Sequence, residues 1–408
     1  MPEWMKLNSS KYFNVVGKDG QSVDSPSPHS KSAMKLDAKA FEAVMSYLKD
    51  KDPCHTVIMV QVQNEPGTWG SVRDYSKTAN QLFAMPVPSA LLESTVLDEL
   101  GVSKDAKGNW SEVFGDRADE YFHAWHVASY IEYVAAAGKK VYPLPMYVNV
   151  ALRNPLTNPP ANEYESGGAT DNVISIYKIA APSIDFVAPD IYLRGDEQVM
   201  RVLDLYTRED NALMVPETGG NTKYLYEVIR RGIGFSPFGI DGGGHERNSA
   251  LAAEYKLLKP VVNQLAQWGI EDKIYTAIEP EDHSSQQINL DNWEADIIFG
   301  RSRRAGTNTV VPQQAHSQQT NGKTMIIQLG DGDYLVIGTN CRITFKPSGR
   351  NEGKAWHFLR VEEGTYNNNG EWEMRRVLNG DQTDWGGPYF GNNPTMLRIR
   401  VYVRENRK

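Results

Sequence analysis

The chain of 408 residues is 40% hydrophobic and 23% charged, with enough apolar material for a sizeable core and a length that favours two or three domains. A formal charge of −8 and a pI of about 5.6 leave no basic footprint for nucleic acid or an anionic membrane, and no run of 18 apolar residues predicts a transmembrane helix. Two distant cysteines, Cys54 and Cys341, and scattered histidines exclude a disulfide framework and offer no metal-ligand spacing; two buried thiols are the favoured reading, with a single disulfide as the alternative.

In chain order, "YFNVV" (12–16) is too short to predict a barrel strand. Asp37 reads as an N-cap, and Phe41, Val44, Met45 and Leu48 follow at helical spacing, predicting a helix over about 38–50. "VIMVQVQNEPG" (57–67) begins as an apolar, β-branched strand and ends on an amide, a carboxylate and a proline. Residues 68–118 read as a long insertion. A strong helix is predicted over 117–137 from Phe122, Trp125, Ile131 and Val134, with Gly138 as its stop. "KKVYPLPMYVNVAL" is a strand, 171–181 a helix, "IDFVAPDIYL" a strand and 196–207 a helix. "ALMVPETGG" is a strand, 221–231 a helix, "GIGFSPFGID" a strand, and 249–269 a final helix. This alternation predicts a parallel α/β sheet with helical crossovers.

After Gly269 the texture changes to short alternating runs broken by Gly, Asn and Asp, which predict an all-β, sandwich-like domain. The expected domains are therefore 1–269 and 270–408, with a mobile polar loop at about 300–323.

Function in parallel α/β folds sits at the carboxyl ends of strands. Glu65 and Glu217 both fall there, with two further strands between them, so a closed barrel sets them across its mouth. Two opposed carboxyls suit glycoside hydrolysis. One serves as a general acid with a raised pKa while the other stays ionised, in a retaining or an inverting geometry. Asn64 is placed to bond a sugar hydroxyl, and Tyr192 to donate to the nucleophilic carboxylate.

Tyr147, Asn149 and Asp190 are further candidates for substrate contact. The alternative for Tyr147 and Tyr192 is capping the core, and for Asn149 and Asp190 it is bonding loops. Trp69 either stacks on a sugar or packs under the insertion, with packing favoured. His123 and His126 read as structural; Trp4 and His29 are weak candidates for a cleft lining. No metal or organic cofactor is implied, since a carboxyl pair suffices.

At these residues the sequence resembles bacterial β-galactosidases of glycoside hydrolase family 35. "VIMVQVQNEPG" is similar to that family's acid/base strand, where Gln-Val-Glu-Asn-Glu is typical. "YPLPMYVN", "APSIDFVAPDIY", "MVPETGG" and "GFSPFGID" resemble the barrel strands that follow, and "FLRVEEGTY" with "NGDQTDWG" resembles the β domain of one branch of the family. The resemblance implies a retaining (β/α)8 hydrolase with Glu65 as acid/base at the end of strand 4 and Glu217 as nucleophile at the end of strand 7. Asn64 matches the amide before the acid/base, and Tyr192 a strand 6 tyrosine that supports the nucleophile. Gln63 departs from the usual Glu, and its side chain is expected to point away from Asn64.

The resemblance also implies that three βα units precede Glu65, roughly 90 residues at about 30 each. Only 64 residues precede it, so the expected fold is an incomplete TIM-type barrel holding strands 4 to 8, with exposed edges and either poor solubility or partner-dependent stability. The absence of a signal peptide in "MPEWMKLNSS" then carries no weight, and the compartment, cytoplasmic or periplasmic/secreted, stays open.

The expected activity is an exo-acting retaining β-glycosidase, a β-galactosidase, acting on a β-galactoside or related oligosaccharide. The alternatives are an inactive carbohydrate-binding fragment and a glycosidase of another sugar. Neither nucleic acid nor membrane is expected as a partner, and a homo-oligomer is left open.

Overall fold

The computed structural model describes residues 1–242, 244–299 and 321–404. The chain divides into two compact units, Met1–Glu217 and Thr218–Lys408.

The first unit opens with α1 (Glu3–Lys6) and an antiparallel hairpin of β1 (Asn14–Val16) and β2 (Ser22–Pro26). "YFNVV" thus supplies a hairpin strand. Helix α2 (Lys31–Lys51) starts at Lys31 and not after Asp37, because nothing between Ser30 and Asp37 breaks a helix. Asp37 lies inside it, and its carboxylate accepts from Gln63 at 2.6 Å. Strand β3 (Val60–Gln61) covers only two residues of the apolar run that opens the 57–67 stretch. Its backbone bonds run from Val60 N–H to Pro145 O and from Val62 N–H to Tyr147 O, both 2.9 Å. Ile58, just before it, is 67% exposed.

The insertion at 68–118 holds three short helices, α3 (Lys77–Phe83), α4 (Ser94–Glu99) and α5 (Trp110–Phe114). A capping box between Asn109 and Glu112 starts α5. The insertion is pinned by Arg73. Its guanidinium lies 4.0 Å from the Tyr75 ring centre and 4.2 Å from that of Phe83, and it bonds Asp119 at 2.6 Å. Asp119 belongs to α6 (Ala118–Val141), whose buried Tyr121, Ala124, Ala128, Ile131, Ala135 and Gly138 recur every three or four residues.

Gly138 does not stop α6. The helix runs on to Val141, and the glycine marks where α2 crosses it: a Cβ here would stand 2.2 Å from the Phe41 ring and 3.1 Å from Met45. Strand β4 (Met146–Ala151), helix α7 (Ile174–Ala180) and strand β5 (Phe186–Asp190) follow. Strands β3, β4 and β5 form a parallel sheet in that order, with Gln61 beside Tyr147 and Asn149 beside Ala188. Helix α8 (Asp196–Tyr206) leads to β6 (Leu213–Val215). The Asn211 side chain bonds both the N–H and the C=O of Val187, and Ile191 N–H donates to Glu217 O at 2.8 Å, so β6 lies against β5.

The second unit begins with α9 (Leu225–Arg231), the four-residue β7 (Gly232–Phe235), α10 (Gly244–Leu258) and α11 (Val262–Ile270). The single helix expected over 249–269 is interrupted at Lys259–Val261, where Pro260 has no N–H to continue the ladder.

Ten antiparallel strands follow. They are β8 (Ile274–Ile278), β9 (Gln286–Asn289), β10 (Trp293–Phe299), β11 (Lys323–Gly330), β12 (Asp333–Thr339), β13 (Cys341–Pro347), β14 (Trp356–Tyr366), β15 (Trp372–Leu378), β16 (Tyr389–Phe390) and β17 (Thr395–Val403). They form a four-stranded sheet, β16-β13-β10-β9, and a six-stranded sheet, β15-β14-β17-β12-β11-β8. The sheets close over one core built on Trp293, Ile297, Phe345, Val336 and Ile399.

The six-stranded sheet is also covered on its other face. Met325, Ile327, Leu335 and Ile337 pack with Leu225, Tyr226, Leu258 and Leu265 of the helices. The change of texture at Gly269 therefore falls inside this unit, between helices and the sheet they cover. Cys341 is buried and Cys54 exposed; both are free thiols. The polar stretch expected as a loop at 300–323 lies, up to residue 320, outside the described residues. Among the described residues no helix is long and apolar enough to cross a membrane.

Replacing Gly138 by valine forces side-chain bulk into the α2–α6 crossing. The expected outcome is a loss of about 1–3 kcal/mol in stability, read from the midpoint of urea unfolding at an unchanged slope.

Candidate active site

Alternation along a strand puts Tyr147 and Asn149 of β4 on one face, together with Phe186, Ala188 and Asp190 of β5. The ends of β3 and β6 deliver Glu65 and Glu217 to the same place. Asn149, fully buried, joins them. Its Oδ1 accepts the Glu65 backbone N–H at 2.8 Å. Its Nδ2 donates to Asp190 Oδ2 at 2.7 Å and Asn64 Oδ1 at 3.1 Å, and lies 3.4 Å from Glu217 Oε1. One amide thus touches four of the other candidate residues, and its polar atoms are all engaged by protein groups.

Glu65 sits in the left-handed region, at φ 42°, a conformation costing a residue with a Cβ about 1–2 kcal/mol. Two bonds hold it there: the one to Asn149, and Gly67 N–H donating to Glu65 O at 2.7 Å. Strain maintained in this way is characteristic of functional sites. Gly67 is required for a second reason: a Cβ here would lie 2.5 Å from the Glu165 Cβ. Beyond the turn, Thr68 and Ser166 exchange backbone bonds of 2.9 and 3.2 Å. The Thr68 hydroxyl pairs with His123 Nε2 at 2.9 Å.

Asn64 is exposed and accepts from Gln61 at 3.0 Å as well as from Asn149. Gln63 turns away to Asp37. Tyr192, 52% exposed, donates to Glu217 Oε2 at 3.0 Å. Burial and that bond raise its pKa, so the phenol keeps its proton. Tyr147 stacks on Phe186, ring centres 5.3 Å apart and nearly parallel. Burial, then the Asp190 and Glu217 charges, raise its pKa too.

The carboxyl with a large upward shift is Asp190. Burial, then the charge of Glu217 and the nearby Glu65 carboxyl, push it up to about 9. Its Oδ1 is buried without a hydrogen-bond partner. At neutral pH Asp190 is therefore a neutral acid between two partly exposed glutamates.

The remaining sequence candidates separate. Trp69 is 57% exposed, so it does not pack under the insertion as favoured. His29 is buried among Phe122 and His126 rather than lining a cleft, while Trp4 is exposed with an edge contact to Tyr12. Burial lowers the pKa of His29 to about 4 and those of His123 and His126 to about 3. These imidazoles stay neutral and belong to the packing behind the Thr68 turn. Glu165 escaped the sequence analysis because it lies in an irregular loop, away from any strand end. Among the described residues no group of three or more His, Cys, Asp or Glu side chains is arranged to hold a metal ion.

A family model described as a domain of unknown function (DUF5597) matches residues 251–387, a minority of the chain within the second unit. No curated protein matches the sequence. Among solved structures, the catalytic domain of β-amylase from Paenibacillus polymyxa is similar at 11% identity and a TM-score of 0.41, over 61% of this chain and 73% of that one. The family 51 α-L-arabinofuranosidase AbfB from Bifidobacterium longum is similar at 10% identity and a TM-score of 0.25, over 67% of this chain and 62% of that one. At these scores neither likeness carries functional weight.

Asp190 binds its proton more tightly folded than unfolded, so it weakens the fold progressively as pH rises from about 4 towards about 9. Asp190→Asn supplies the same donor and acceptor without the titration. The variant should be more stable than the parent by more than about 1 kcal/mol at pH 8, with the difference vanishing near pH 4, as measured by denaturant unfolding across that range.

Proposed function

We propose that this chain is a retaining β-glycosidase acting on terminal β-galactosides. The observation that carries the reading is the meeting of the Glu65 backbone and the Glu217 carboxylate, just beyond the ends of β3 and β6, on the single buried amide of Asn149. The sugar is taken from the resemblance of the strand sequences to glycoside hydrolase family 35.

In the first step a Glu217 oxygen attacks the anomeric carbon while Glu65 gives its proton to the departing glycosidic oxygen. The bond between carbon and leaving oxygen breaks, and a glycosyl ester forms on Glu217. In the second step Glu65, now a carboxylate, takes a proton from water. The resulting hydroxyl attacks the same carbon, the ester bond breaks, and both glutamates return to their starting states.

Tyr192 steadies Glu217 as an anion through its 3.0 Å bond to Oε2. Asn64, the exposed member of the cluster, is free to turn a hydrogen-bonding group to the sugar's 2-hydroxyl. Asn149 and Asp190 act through the glutamates: the amide fixes the backbone of Glu65, and the neutral acid adds no negative charge beside Glu217.

The test is turnover of an aryl β-galactoside. Glu217→Gln and Glu65→Gln should each lower kcat by at least about a hundredfold. With Glu65→Gln the loss should shrink as the leaving group becomes more acidic. Retention of near-parental rates by both variants would falsify the assignment.

A further inference from the structure

Resting on the glycosidase reading, we propose that Trp69 and Glu165 form the subsite for a sugar on the leaving-group side of the cleaved bond, so that the substrate is an oligosaccharide rather than a simple alkyl or aryl galactoside. The Trp69 ring is the platform for that sugar's apolar face, and the Glu165 carboxylate accepts from its hydroxyls.

The placement follows from the turn after β3. Glu65, Pro66 and Gly67 reverse the chain within three residues, closed by the 2.7 Å bond from Gly67 N–H to Glu65 O. The pairing of Thr68 with Ser166 then ties the returning chain to the 164–167 loop. Glu165 comes to rest against Gly67 so closely that any side chain there would collide with it. Trp69 follows one residue beyond the pairing, near enough to the Glu165 carboxyl to favour its charged form. The platform is anchored from behind by the bond between Thr68 and His123, itself within α6.

Three properties distinguish this pair from packing. A tryptophan leaving 57% of its surface exposed has given up most of the burial that normally places this residue inside a protein. The chain that carries the indole is nonetheless held in position, through the backbone pairing of its neighbour Thr68 with Ser166. A second carboxyl beside the acid/base glutamate is unfavourable in isolation, and burial together with the Glu65 charge raises Glu165 above the usual carboxylate range; hydroxyl donors from a ligand relieve both effects.

The side of the bond is set by the chemistry. The proton goes to the leaving oxygen, so the leaving group lies towards Glu65. Trp69 and Glu165 belong to the Glu65 turn, whereas Tyr192 and Glu217 come from β5 and β6. An aromatic face with an adjacent carboxylate suits a pyranose, whose axial C–H groups meet the ring while its equatorial hydroxyls reach outward.

The experiment uses the full chain carrying Glu217→Gln, so that ligand is not consumed, with lactose and galactose titrated separately by calorimetry. Adding Trp69→Ala or Glu165→Gln should weaken lactose at least about fivefold, the scale of one aromatic contact, and leave galactose within about twofold. Trp69→Phe should recover most of the lactose affinity, and unfolding midpoints should match the parent. Unchanged lactose affinity in both variants, or an equal loss for galactose, overturns the subsite. Dinitrophenyl β-galactoside turnover by the unmodified chain reports the catalytic reading separately, since that leaving group needs neither proton nor platform. A failure there, with lactose binding still dependent on Trp69, sinks the catalytic reading and leaves the subsite standing.

Discussion

The candidate site depends on one side-chain amide. Asn149 is the point at which the end of β3, the end of β5 and the end of β6 are held to a common geometry. An amide suits the position because it accepts from a backbone N–H on one side and donates to oxygens on the other, without adding charge to a site rich in carboxyls. Its burial removes competing water, so each bond counts for more than it would at the surface. An aspartate here would repel Glu217 and would offer no N–H to Asp190 and Asn64. A leucine would leave the strained Glu65 backbone without its acceptor.

Charge is the second constraint. Three carboxyls within one cluster cannot all ionise cheaply, and the structure resolves this by keeping the innermost one, Asp190, protonated. The neutral acid still accepts from Asn149 through Oδ2. The outer two glutamates are more exposed and supplied with specific partners, Tyr192 for Glu217 and the backbone cradle for Glu65. The titrating residue is costly to stability at this position, since one that never titrates would hold the fold better at neutral pH.

Much of this arrangement was legible in the sequence. Glu65 and Glu217 stood out because a carboxylate terminating an apolar strand has few structural reasons to be there. The alternating strands after Gly269 were equally plain. The double-sided burial of the six-stranded sheet explains why β11 and β12 read as nearly continuous apolar runs.

What was not legible is what depends on contact between distant segments. Gly138 looks like a helix stop until Phe41 is seen against it. Asn149 and Asp190 looked like sugar ligands because their mutual bonding follows from strand register, which one sequence does not display. Glu165 gave no signal because only the turn at Gly67 brings it to the site. The length of β3 and the start of α2 were misjudged because local propensity does not report where a ladder or a cap is satisfied.

The imidazoles behind the Thr68 turn set a limit of another kind. His29, His123 and His126 are neutral when packed beside Asp74 and Arg73, yet an unfolded chain protonates them below about 6.5. Mild acid therefore drains stability from the wall that supports the Glu65 loop, well before these rings accept protons in place. A loss of function in mild acid would then record a softening scaffold as well as any change at the site itself. Only heat-capacity or fluorescence measurements at matched acidity would separate the two.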